Sequence, residues 1–83
     1  MAESKFLQLT ISRVDGPLFE GGVVSVTVPG IAGEMTLLAQ HAPLISPLKQ
    51  GSITLVKEDG SNESFEIESG TLEISHNHAT ILV

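Results

Sequence analysis

Apolar residues recur at every second position along this chain, in short runs separated by Gly, Pro, Asn and Asp. A period of two puts alternate side chains on opposite faces of an extended backbone, so the pattern predicts half-buried strands rather than helices. Leu7, Leu9 and Ile11 alternate with Gln8, Thr10 and Ser12. After an Asp15-Gly16-Pro17 turn, Val24, Val26 and Val28 alternate with Ser25 and Thr27 until Pro29-Gly30 breaks the run. Met35, Leu37 and Ala39 form a third inward row, and Ile53 with Leu55 a fourth, between Gly51 and an Asp59-Gly60 turn. Phe65 with Ile67 and Leu72 with Ile74 follow, and the chain closes on Ala79, Ile81 and Val83 after a turn at His76-Asn77-His78. These are seven or more short strands with no amphipathic run long enough for a helix. The expected fold is all-β, an antiparallel sandwich or flattened barrel.

Length narrows this to one domain over residues 1–83, and only three aromatics, all Phe, leave the core to Val, Ile and Leu. A domain this small buries about 60% of its unfolded surface, so association with a partner would steady it. The absence of cysteine excludes disulfides, thiolate zinc sites and a cysteine nucleophile. No basic segment leads into an apolar run, and no stretch approaches the roughly 18 apolar residues of a membrane span, so a soluble, unexported chain is expected.

Charge excludes a further class. The formal net charge is −6, with only Lys5, Arg13, Lys49 and Lys57 as strong bases. Binding of nucleic acid needs clustered Lys and Arg to neutralise phosphates, and this chain has no such cluster. Six of the acids fall between Glu58 and Glu73. They read either as a solvated strand edge or as a docking face for a basic partner.

Three motifs invite chemistry. Pro29-Gly30-Ile31-Ala32-Gly33-Glu34 is glycine-rich, but a phosphate-binding loop needs a Gly-Lys-Ser/Thr opening a helix, and this one ends on a carboxylate. It is either a tight connection or a docking loop. His41, in Gln40-His41-Ala42-Pro43-Leu44, has no nearby nucleophile to activate and reads as a structural histidine at a Pro-fixed turn. His76 and His78 would share a face of an extended strand, as in a cupin-like metal site, but no carboxylate follows them, and a turn with two exposed imidazoles is the plainer reading. The residues therefore give no catalytic site, no metal site and no cofactor site. What they describe is an acidic β-sandwich that binds something, a free-standing adaptor and a small metal-dependent enzyme being the competing readings.

The order of the pieces resembles the N-terminal domain of the F-type ATP synthase epsilon subunit, homologue of the mitochondrial delta subunit. The resemblance lies in Leu18-Phe19-Glu20-Gly21, the run from Val24 to Met35, His41-Ala42-Pro43-Leu44, Leu48-Lys49-Gln50-Gly51, Gly70-Thr71-Leu72-Glu73-Ile74 and Asn77-His78-Ala79-Thr80-Ile81-Leu82. It implies a sandwich of two sheets with about ten short strands. It also implies a non-catalytic subunit of the central stalk, or rotor, which couples ion flow through the c ring to ATP synthesis or hydrolysis. Its partners would be the gamma subunit and the c-subunit ring, and its place the cytoplasmic face of the cell membrane, held peripherally without insertion. By resemblance, Gly30, Ile31, Ala32, Gly33, Glu34 and Met35 contact the c ring, with Glu34 foremost. His41, Ala42, Pro43 and Leu44 contact gamma.

The sequence departs from the family pattern at Thr36, where glycine is usual, at Ser69-Gly70 in place of Gly-Gly, and at Ala39-Gln40 in place of Pro-Gly. Family members usually continue beyond the position of Val83 into a helical hairpin that carries the inhibitory extension and the nucleotide site. The 83 residues are therefore expected to form the sandwich without the hairpin, neither sensing ATP nor locking the rotor.

Overall fold

The predicted apolar rows lie on strands in the computed structural model, which describes residues 5–83, except for Ala39 and Val83, each just past a strand end. The strands are β1 (Leu7–Arg13), β2 (Gly16–Gly30), β3 (Gly33–Leu38), β4 (Leu44–Leu48), β5 (Gly51–Lys57), β6 (Asn62–Ile67), β7 (Gly70–Ser75) and β8 (His78–Leu82). Their hydrogen-bonded order is β1-β8-β7-β4-β2-β5-β6, with β3 on β2 and a further β1–β2 ladder. One layer is thus β3-β2-β5-β6 and the other β4-β7-β8-β1. β2 joins the layers by pairing with β1 along its first half and with β4 at Gly30↔Leu48. Fully extended, its 15 residues would span roughly 50 Å at about 3.3 Å each, yet the longest dimension of the domain is 38 Å. β2 must bend, and one continuous strand takes the place of two in the count.

β2 carries a β-bulge where its ladder passes from β1 to β5. On the β5 ladder Val23 pairs with Lys57 and Ser25 with Val56, which leaves Val24 as an extra residue. A bulge shifts the phase of alternation by one. The expected inward row Val24, Val26, Val28 is therefore Val23, Val26, Val28, all fully buried, while Val24 is 42% exposed. Two further expectations change. Ala39 lies in a turn just past β3, half-buried, and does not extend the row of Met35 and Leu37. The segment 44–48, to which the alternation assigned no row, is a full strand despite Pro47, which pairs with Thr71 on β7 and gives its carbonyl to Ile31 N at 3.3 Å.

The two ends of the described chain meet in a parallel ladder, Gln8↔His78 through Ser12↔Leu82, the one parallel pair among the described strands. Val83 N donates to Ser12 O at 2.9 Å and extends it. The core between the layers contains only Leu, Ile, Val and Ala, with Leu7, Leu9, Ile11, Leu72, Ile74 and Ile81 from one layer against Val26, Val28, Leu37, Ile53 and Leu55 from the other. Phe19 and Phe65 pack at its border. No polar or charged side chain is buried among the described residues.

The strand-edge reading of the acidic stretch fits the topology. Glu63 and Glu66 lie on β6, the last strand of the order, where charge discourages pairing with other chains. Lys57 Nζ reaches Glu63 at 2.8 Å, and this bond raises the Lys57 pKa. In the β5–β6 turn the Asp59 carboxylate accepts from Ser61 Oγ at 2.6 Å and Ser61 N at 2.9 Å, which holds it below the usual carboxylate range.

Candidate functional site

Two exposed segments carry the residues singled out from sequence. The first is the β2–β3 hairpin, closed by Gly30↔Gly33 around the turn Ile31-Ala32. Its glycines are there for geometry. Gly33 has φ 142°, and a Cβ at Gly30 would lie 2.7 Å from Gly33 O and 2.9 Å from the Met35 methyl. Lys49 N donates to Pro29 O at 2.9 Å, so the base of the hairpin is fastened to the chain that leaves β4. The result is a stiff projection. Ile31 is 60% exposed at its tip, Ala32, Gly33 and Glu34 are exposed beside it, and Met35 turns back against the core. Gly30, Ala32, Gly33, Glu34 and Met35, with Ser46 of β4, line a recess of about 170 Å³. The lining is two glycines, an alanine, a serine and the thioether of Met35, with the one carboxylate of Glu34.

The second segment is the β3–β4 connection, residues 39–43. Gln40 has φ 64°, the left-handed conformation that glycine adopts most easily and that the family's usual Gly at this place would supply. Thr36 and Ser69, the other departures, need no positive φ: Thr36 is an ordinary β3 residue whose hydroxyl bonds that of Thr27 at 3.0 Å. His41, Ala42 and Pro43 are exposed, and the His41 Nδ1–H donates to Ala42 O at 2.8 Å, folding the ring onto its own segment. Leu44 differs from its three neighbours because it is half-buried and packs against the core. It anchors the segment more than it displays it.

The histidine pair does not share a strand face. His76 and Asn77 have φ of 51° and 60° and form the turn between β7 and β8, so the extended geometry of a His-x-His metal site is absent there. His78 instead places Nε2 3.1 Å from Thr10 Oγ1 across the parallel ladder. No group of three or more His, Cys, Asp or Glu converges to hold a metal among the described residues.

An eight-stranded sandwich with these two loops now stands beside known proteins. Residues 6–83 match the family described as ATP synthase, Delta/Epsilon chain, beta-sandwich domain. The chain belongs to this family. It is 46% identical over 77 residues to an ATP synthase epsilon chain of a Nitratiruptor species, covering 93% of this chain and 60% of that one. The epsilon chain of Chlorobium limicola is 41% identical over 83 residues, covering 99% of this chain and 94% of its own. For the epsilon chain of Bordetella petrii the figures are 36% over 76 residues, 92% and 54%. The chain thus spans between about half and nearly all of the length of these epsilon chains. In fold, it matches a chain of the Euglena gracilis mitochondrial ATP synthase, in a structure holding OSCP, F1 and the c-ring, with a TM-score of 0.92 at 22% identity, over 100% of this chain and 53% of that one. A chain from the central stalk and c-ring structure of the Tetrahymena thermophila mitochondrial ATP synthase gives 0.77 at 13% identity, over 100% of this chain and 66% of that one. At these identities the likeness is one of fold. Sequence reasoning found both exposed loops of this delta/epsilon sandwich and missed Asn77, whose side chain reaches Gln40 and Phe6.

Proposed function

We propose that this sandwich is a non-catalytic part of the central stalk of an F-type ATP synthase, docked between the gamma subunit and the c ring. The observation that carries the reading is the family match over residues 6–83, which includes all eight strands. In this role the domain transmits force rather than performing chemistry. A close-packed core of interlocked aliphatic side chains does not deform continuously, so a push on one loop is delivered to the other.

The β2–β3 hairpin is the c-ring contact, with Ile31 at its tip and the Glu34 carboxylate facing polar loops of c subunits. Residues 41–44 are the gamma contact, made by His41, Ala42 and Pro43 on a segment that Leu44 anchors in the core. The domain then sits peripherally at the cytoplasmic face of the membrane. No helix among the described residues is long and apolar enough to cross it.

Co-purification with gamma tests the reading. Ala42 is exposed and small, so Ala42→Glu leaves the core intact and places a carboxylate inside the contact. Affinity for gamma is expected to fall about tenfold or more, as a desolvated unpaired charge costs well over the 1.4 kcal/mol that a factor of ten represents. Unchanged affinity, with an unchanged melting temperature, would remove residues 41–44 from the interface.

A further inference from the structure

Asn77 ties three separate segments together beside His41. Two successive positive φ angles, at His76 and Asn77, make a tight hairpin turn closed by Ser75↔His78. From that turn Asn77 Oδ1 accepts from Gln40 N at 2.8 Å, and Nδ2 donates to Phe6 O at 2.9 Å. Its own carbonyl accepts from Gln8 N at 3.2 Å. The two side-chain bonds need an acceptor and a donor on one short side chain, which asparagine provides. They join the start of β1, the β7–β8 turn and the β3–β4 connection, segments remote in sequence.

Gln40 gives this clamp its purpose. A residue with a Cβ is unfavourable at φ 64°, and the bond to Asn77 is made by the backbone N–H of that same residue. The connection is then held at Gln40 by Asn77 and at Leu44 by the core, with His41, Ala42 and Pro43 exposed between the two fixed points. A segment ordered before binding avoids the ordering cost that a free loop would meet on docking.

We infer that Asn77 is a positioning residue for docking: it sets Gln40 in the left-handed conformation and so presents residues 41–43 ready-formed to the partner. The inference rests on the reading of this segment as the gamma contact. In this role Asn77 acts through its bond to the Gln40 backbone.

Two variants separate this role from plain support of the turn. Asn77→Gly keeps the positive φ and removes both side-chain bonds, whereas Asn77→Asp keeps the acceptor for Gln40 and loses the donor to Phe6. In the free chain, amide hydrogen exchange at Gln40 is expected to quicken about tenfold in Asn77→Gly and to stay within about twofold in Asn77→Asp, in line with one lost hydrogen bond. Affinity for gamma is expected to follow the same order, about five- to tenfold weaker for Asn77→Gly and near unchanged for Asn77→Asp. Unchanged exchange at Gln40 in Asn77→Gly overturns the inference whatever gamma does. Faster exchange with unchanged gamma affinity also overturns it, and Ala42→Glu then shows separately whether the segment is the interface at all. Losses of affinity that track melting temperature equally in both variants would mean that Asn77 only stabilises the turn.

Discussion

Val23→Asp is expected to remove a large part of the chain's stability, while the same change one residue later, Val24→Asp, leaves it nearly intact. Val23 is fully buried, paired with Leu7 on one side and on the other with Lys57, whose ammonium is already held by Glu63, so its replacement puts a carboxylate without a ready counter-ion into an aliphatic core. An uncompensated buried charge costs about 3–5 kcal/mol. A domain of this size has a total stability of roughly 4–12 kcal/mol, so the loss takes a large part of it. Val24, the extra residue of the bulge, is 42% exposed and its aspartate stays in water. Its cost is limited to poor strand propensity, about 1 kcal/mol or less. Thermal unfolding followed by circular dichroism should separate the two by roughly 10 °C or more, at about 4–8 °C per kcal/mol. Equal losses at both positions, or a greater loss at Val24, would mean that the bulge is elsewhere.

Gly30→Val is expected to be nearly as damaging, and its damage is local to the β2–β3 hairpin. A Cβ at Gly30 meets the Gly33 carbonyl at 2.7 Å, and a backbone atom cannot swing aside as a side chain can. The branched side chain forces the hairpin open and fills the recess against Met35, at a cost of about 2–3 kcal/mol for overpacking. The melting temperature should fall by about 10–20 °C. Amide exchange should quicken first at Glu34 and Met35, with the β7–β8 ladder still protected. Gly33→Val offers a contrast, because open space surrounds it and its loss comes from φ 142° alone. If Gly30→Val proves no worse than Gly33→Val, the close approach of the two hairpin arms is not what fixes the loop.

These two experiments mark where the sequence was readable. Alternation shows which residues can share a face, so Leu7, Leu9, Ile11, Leu72, Ile74 and Ile81 were identified correctly from period two alone. Alternation does not show which strand lies alongside. The bulge is a mismatch between β2 and β5, one residue against none, and nothing in Gly22-Val23-Val24-Ser25 says which valine will be the surplus one. The parallel ladder of β1 with β8 was hidden for the same reason, since it joins segments from opposite ends of the chain. β4 was missed because proline usually marks the absence of a strand. Pro47 is tolerated since its missing N–H is on no required ladder bond, while its carbonyl serves Ile31.

The β2–β3 turn and the β3–β4 connection were legible as exposed loops because glycine and proline punctuate them. Asn77 was not. It read as part of a turn, and its bonds to Gln40 and Phe6 depend on three segments meeting in space. The only local sign was Gln40 where the family usually has glycine, a hint that something else must hold a left-handed backbone in place. The half-burial of Leu44 against the core was not legible either, since its position in the His41-to-Leu44 motif says nothing of which side chains turn inward.

Cross-linking decides whether the β2–β3 hairpin seats the domain on the c ring. The chain has no cysteine, so Glu34→Cys introduces a single thiol close to Ile31 at the tip of the hairpin. In the assembled ATP synthase, with cysteines placed in the polar loops of the c subunits, oxidation is expected to join this chain to a c subunit. A disulfide requires Cα atoms within about 7 Å, so the product reports contact rather than proximity. Cross-links from Glu34→Cys that reach only the catalytic head, with none to c, would contradict the account and show that the hairpin faces the other way.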